Sequence, residues 1–125
     1  MKNYIWTLFL ILSVLVSCNL SKEQETLSPE ASAEIDTYLA DYSKEFQRLL
    51  IDVSDAHWKS NTEIREGDTI TSAITRAAGE AFAAFSGSVK NIETSQKYLQ
   101  LKGLSNLQKR QLETILYSAA GGPAT

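Results

Sequence analysis

The sequence has very little of the residue types from which metal, redox and disulfide sites are built. It has one cysteine and one histidine in 125 residues, which excludes an internal disulfide framework and a Cys/His zinc site. It also has no basic surplus, because 12 Lys and Arg stand against 15 Asp and Glu, so we expect no nucleic-acid partner. With 43% hydrophobic and 22% charged residues, the composition is that of an ordinary globular chain of at most one domain.

The longest hydrophobic run lies at the N-terminus. A short positive start, Met1–Asn3, is followed by apolar residues from Tyr4 to Val16, a pattern typical of a secretory signal. The alternative is a transmembrane anchor, but a spanning helix needs about 20 apolar residues and this run is shorter. We therefore expect residues 1–17 to be a signal peptide.

The hydrophobic run ends at the only cysteine of the chain. The residues Leu15-Val16-Ser17-Cys18 resemble a bacterial lipobox, whose cysteine becomes the acylated N-terminus after cleavage and anchors the protein to a lipid bilayer. Cys18 is therefore the predicted lipidation site, with ordinary cleavage near an unmodified cysteine as the alternative. Asn19 favours export to the periplasmic face of the outer membrane, and residues 18–27 are predicted to be a flexible tether.

Residues 28–125 have the periodicity of helices and no alternation typical of strands. Ser28-Pro29-Glu30 begins a first amphipathic helix of about 30 residues, with Ser as N-cap and Pro at the first position. Ser105 and Gln108 form a capping-box pattern that begins the last helix, which ends at Gly121. The sequence predicts an all-α fold of long amphipathic helices.

A second helical stretch is expected between these two. Asp68-Thr69 can cap it, and Gly103 is its predicted C′ residue. Gly79, and Gly87 within Ser86-Gly87-Ser88, suggest a close helix approach or a kink. Its apolar stripe consists of Ile70, Ala73, Ile74, Ala77, Ala81, Ala84, Phe85, Val89 and Ile92.

Few residues offer catalytic chemistry. His57 and Glu63 are the one base and acid near an aromatic residue, and no nucleophile or second ligand accompanies them. Asp52 and Asp55 are better explained by a solvated helix face than by a carboxylate pair. Trp58 is expected to pack against the second helix, and the sequence contains no HExxH motif.

The body of the chain resembles the angiotensin-converting-enzyme-like peptidyl-dipeptidases. The most specific part is Trp58, Asn61, Thr62 and Ile64, which is similar to that family's Trp-x-x-Asn-Thr-x-Ile segment. Weaker matches are Ala33–Tyr42, Phe46–Leu49, Glu66–Thr69, Ala78–Ala81, Leu104–Gln108 and Gln111–Tyr117, in the family's order and spacing. The resemblance covers nearly all of residues 28–125.

The resemblance implies a helical zinc peptidase that removes dipeptides from the C-termini of peptide substrates, with the N-terminal helices as a lid over a narrow cleft. Zinc in this family is held by the two His of HExxH and a later Glu. This chain stops at Thr125, before the family's zinc-binding helix, so no catalytic residue and no metal ligand can be carried over.

Two hypotheses follow. In the first, the chain is the lid-like N-terminal portion of a lipid-anchored peptidyl-dipeptidase, incomplete and inactive alone, and marginally stable or molten when isolated. In the second, it is a self-sufficient helical periplasmic lipoprotein that acts as a non-catalytic binding module. A stable fold or a defined oligomer favours the second hypothesis.

Overall fold

The computed structural model describes residues 26–121, and this part of the chain is built from four α-helices without a strand. They are α1 (Pro29–Thr62), α2 (Thr69–Ser86), α3 (Val89–Leu99) and α4 (Asn106–Ala120). The predicted all-α class is confirmed. No helix within residues 26–121 is long and apolar enough to cross a membrane. The predicted signal peptide, the lipidation site Cys18 and most of the predicted tether lie outside the described residues.

The helix starts follow from capping side chains close to them in sequence. Ser28 Oγ accepts a hydrogen bond of 3.1 Å from the N–H of Ala31, with Pro29 at the first helical position. At α4, Ser105 Oγ accepts from the Gln108 N–H at 3.1 Å, and Gln108 Oε1 accepts from the Ser105 N–H at 3.0 Å. Both predicted starts are therefore confirmed, the second as a complete capping box.

The expected second helix is two helices, because Ser88 caps a new start. Its Oγ accepts from the Asn91 N–H at 3.2 Å, and Asn91 Nδ2 donates to the Phe85 carbonyl at 3.0 Å. These bonds satisfy backbone groups on both sides of a break at Gly87. The predicted kink near Ser86-Gly87-Ser88 is thus a helix boundary.

Two loop glycines adopt left-handed backbone conformations. Gly67 has φ 73° in the α1–α2 turn, and Gly103 has φ 85° in the α3–α4 loop. The prediction that Gly103 directly follows a helix end is wrong, since α3 ends at Leu99 with Gln100 as its C-cap.

Helices α1 and α2 form an antiparallel hairpin whose contact positions are spaced four and three residues apart, as in a coiled coil. The Phe46 and Phe82 rings lie 5.2 Å apart, and Thr75 Oγ1 donates to the Ala56 carbonyl at 3.2 Å. A side-chain hydroxyl that reaches the backbone of the other helix requires the two helices to be close. The facing positions, taken from these contacts, from the pair of Tyr42 and Phe85, and from the buried or partly buried residues at the same spacing, are Tyr42, Phe46, Leu49, Val53 and Ala56 on α1, and Thr71, Thr75, Ala78, Phe82 and Phe85 on α2.

The main hydrophobic core lies at one end of this hairpin, where α3 and α4 cover the N-terminal half of α1. Ile35 and Leu112 are fully buried there, and Phe85 packs against the same cluster. The other buried members are Leu39, Tyr42, Tyr98 and Ile115. Beyond this core, Leu49 and Ala56 are buried on the side of α1 that faces α2.

Candidate interaction surfaces

The most specific residues of the resemblance lie at the end of the α1–α2 hairpin that is remote from the core. The side chains of Trp58 and Ile64 are 71% and 85% exposed, and Asn61 and Thr62 are also exposed. Thr62 Oγ1 donates to the Trp58 carbonyl at 2.8 Å, which closes the last turn of α1. The expectation that Trp58 packs against the second helix is wrong, because Ala56 lies on the side that faces α2 and Trp58 lies about 200° further around α1.

The candidate acid and base residues are not assembled into a catalytic pair. His57 is exposed on α1, and the Glu63 carboxylate lies 3.7 Å from the Arg65 guanidinium. Asp52 is exposed and pairs with Arg48 at 2.8 Å, so the expected solvated face is confirmed. Among residues 26–121, no group of three or more His, Cys, Asp and Glu could hold a metal ion.

A mostly apolar cleft of about 210 Å³ lies between α1 and α4, lined among others by Leu39, Tyr42 and Ile115. Tyr42 is buried, and its hydroxyl has no hydrogen-bond partner within the described part of the chain. Burial, followed by the neighbouring Tyr38, raises the pKa of Tyr42. A buried hydroxyl without a partner is costly, so this residue is a weak point of the core.

A second apolar seam runs along α2, about 100° around the helix from the seam that faces α1. It consists of Ile70, Ile74, Ala77, Ala81 and Ala84, again spaced four and three residues apart. Ile70 is 72% and Ile74 57% exposed, and the three alanines are also exposed. The stripe predicted from the sequence is therefore largely on the surface, and α1 covers a neighbouring face of α2.

Gly79 lies outside both seams. A Cβ atom built at this position meets no heavy atom within 4 Å, so the close helix approach expected from this glycine is not found. The helix also continues through Gly79 without a break.

No family model, curated protein or solved structure matches this chain.

Three polar side chains form hydrogen bonds between α1 and either α3 or α4 that the sequence does not predict. Tyr38 Oη lies 2.9 Å from Ser95 Oγ and donates to the Asn91 carbonyl at 3.1 Å. Tyr98 Oη donates to Glu34 Oε1 at 2.7 Å. Periodicity marks both tyrosines as apolar positions, but their partners are more than 50 residues away in sequence, so no local pattern could reveal these bonds.

Gln108 makes the third connection. Besides its role in the capping box, its Nε2 donates to Asp36 Oδ1 at 2.8 Å and to Ser32 Oγ at 3.0 Å. The side chain is 5% exposed, so these bonds satisfy a buried amide. One residue therefore both starts α4 and attaches it to α1.

Proposed function

We propose that this chain supplies a non-catalytic, lid-like helical portion of a zinc-dependent peptidyl-dipeptidase, an enzyme that removes dipeptides from the C-termini of peptides. The proposal includes acylation of Cys18, attachment to a bilayer and a periplasmic location. The described residues offer no group that fits zinc, so no catalytic step is assigned to them.

The observation that carries this proposal is the exposure of the family-like segment. Trp58 and Ile64 are the most specific apolar residues of the resemblance, and both project from the hairpin end into solvent. Burial of a large apolar side chain is worth about 1.5–3 kcal/mol, and this fold does not gain that stabilisation from either residue. Such residues are suited to packing against another protein surface, here the catalytic part of the peptidase.

The test is complementation by this chain of the catalytic part of a bacterial angiotensin-converting-enzyme-like peptidase produced without its N-terminal helices. We expect restored dipeptide release with the wild-type chain and at least tenfold less with Trp58→Ala combined with Ile64→Ser. Val89→Ser is the matched control, because Val89 is 67% exposed but lies at the start of α3, outside the segments that resemble the family. Failure of the wild-type chain to complement, or equal loss in the control, would contradict the proposal.

The first part of the proposal, that the chain is non-catalytic, has its own test. Dipeptide release by the purified chain alone, abolished by a zinc chelator, would show that it is wrong.

The second candidate is a self-sufficient helical lipoprotein that acts as a binding module. It is favoured by the core around Ile35 and Leu112, which α1, α3 and α4 form together with Phe85 of α2. A sharp near-UV circular dichroism spectrum and cooperative thermal unfolding of the chain would support this candidate. A molten chain that orders only with the catalytic part would support the first.

A further inference from the structure

The unfilled seam of α2 has the geometry of a helix-binding surface. Its residues repeat at the spacing with which α2 already binds α1, and the two seams lie side by side on one helix. Helices with two adjacent seams of this kind contact two neighbouring helices in a bundle. Helix α2 contacts α1 and, on another face, α4, so the neighbour expected along this seam is a further helix.

Side-chain sizes along the seam indicate the orientation of that helix. The large residues Ile70 and Ile74 occupy one end and the small residues Ala81 and Ala84 the other, with Ala77 at the centre. If α2 meets a second α2 in antiparallel orientation about a twofold axis at Ala77, each isoleucine faces an alanine. A large residue opposite a small one fills each layer evenly, whereas parallel pairing would place isoleucine against isoleucine at one end and alanine against alanine at the other.

The charges that border the seam favour the same arrangement. Arg76 and Glu80 are both exposed and lie 3.8 Å apart within one chain. Around a twofold axis at Ala77, Arg76 of one copy comes level with position 78 of the other, within one helical turn of its Glu80. Position 78 is two residues from both Glu80 and Arg76 of that copy, so two attractive pairs stand against one repulsive pair, whereas parallel pairing would place each charge beside its own copy.

We propose that this chain forms an antiparallel dimer in which Ile70, Ile74, Ala77, Ala81 and Ala84 of α2 pack against the same residues of a second copy. The interface is isologous, because the same patch is used twice. The seam spans only about 21 Å of helix, so the dimer belongs to the small, concentration-dependent class of interfaces. The inference does not depend on either proposed function, since neither uses this surface.

The first test is cysteine cross-linking of the full chain in detergent solution. Cys18→Ser removes the only native thiol, and Ala77→Cys then places two thiols at the twofold axis. Facing Cα atoms of closely packed helices lie within the range that a disulfide can bridge. We expect a disulfide-linked dimer on mild oxidation, with at least tenfold less from the matched control Ser72→Cys, which lies on another face of α2.

The second test exchanges large and small residues in the Ala77→Cys chain. Ala81→Ile alone places two isoleucines opposite each other, and Ile74→Ala alone leaves a gap. We expect each single change to weaken association about tenfold. The double change Ile74→Ala with Ala81→Ile restores one large and one small residue in each layer, so cross-linking should return to nearly the original level.

A charge exchange provides a version of this test at exposed positions, where misfolding is not a concern. Arg76→Glu should weaken the dimer, and the addition of Glu80→Arg should restore it. Equal cross-linking from Ala77→Cys and Ser72→Cys, or double variants that associate no better than the weaker single variant, would overturn the antiparallel dimer. Unchanged thermal unfolding of the chain at low concentration confirms that each variant is folded.

Discussion

Tyr38 and Tyr42 lie one turn apart on α1, but their hydroxyl groups are in opposite situations. Tyr38 Oη is bonded to Ser95 and to the Asn91 carbonyl, whereas Tyr42 Oη is buried without a partner within residues 26–121. Replacement by phenylalanine removes only the oxygen and leaves the ring in place. We therefore predict that Tyr42→Phe stabilises the fold and that Tyr38→Phe destabilises it.

The size of each effect follows from the bonds present. A buried polar group without a partner costs about 1–3 kcal/mol, and we expect a gain near 1 kcal/mol for Tyr42→Phe because the ring borders the cleft between α1 and α4. Tyr38→Phe loses two bonds, each worth about 0.5–1.5 kcal/mol, for a loss of about 2 kcal/mol. The two variants should therefore differ by about 3 kcal/mol.

The assay is urea denaturation followed by far-UV circular dichroism, at a concentration low enough to keep the chain monomeric. In a domain of this size, 1 kcal/mol corresponds to a change in Tm of about 4–8 °C, which thermal unfolding can check independently. The parallel stacking of Tyr42 on Phe46, with ring centroids 5.9 Å apart, should survive in the variant. A loss of stability in Tyr42→Phe would mean that its hydroxyl is hydrogen-bonded in solution and would refute the reasoning.

Three further predictions concern other features of the fold. Gln108→Ala should lower the free energy of unfolding by about 2–3 kcal/mol. Gln108→Glu keeps the capping acceptor but places a carboxylate beside Asp36, so the stability that it loses in denaturation experiments reports on the interhelix bonds and not on the cap. Gly67→Ala should destabilise the fold by about 1–2 kcal/mol, because the residue has φ 73°. Gly79→Ala in the interior of α2 should stabilise it by about 0.5–1 kcal/mol. Denaturation curves of the two variants that move in the same direction would contradict this pair. Burial, and then its bond to a carboxylate, raises the pKa of Tyr98 to about 12, so its contribution to stability is complete below pH 10 and is lost as the pH rises from 10 through 12. Tyr98→Phe should reduce the slope of stability against pH in that interval.

Helix starts could be predicted from the sequence because their causes are local. Ser28 caps a backbone group three residues away, and the reciprocal pair of Ser105 and Gln108 spans the same distance. The break at Ser88 is also local, but the apolar pattern continues across it and predicts one helix with a kink. The local signal of the helix boundary is the capping by Ser88 and Asn91.

The choice of buried face could not be predicted in the same way. Helix α2 is apolar over a wide arc, so Ile74 and Ala78 belong to two seams of equal spacing, and only the position of α1 decides which seam is covered. Residue size does not decide the choice either, because the covered seam holds Phe82 and Phe85 and the exposed seam holds Ala77, Ala81 and Ala84. The same reason explains Trp58, since an amphipathic pattern does not record which side of α1 the neighbouring helix covers.

Because the core lies at one end of the α1–α2 hairpin, a small rotation there displaces the other end of the hairpin by a larger distance. Helix α1 is clamped by α3 and α4 up to about Phe46 and continues to Thr62, a free length of about 24 Å at 1.5 Å per residue. A rotation of 10° at the end held by the core moves the other end by about 4 Å at that length, which is about the width of a methyl group. A rearrangement among the tyrosines of the core that rotated α1 by this amount would displace Trp58 by a similar distance, enough to make or break a contact there.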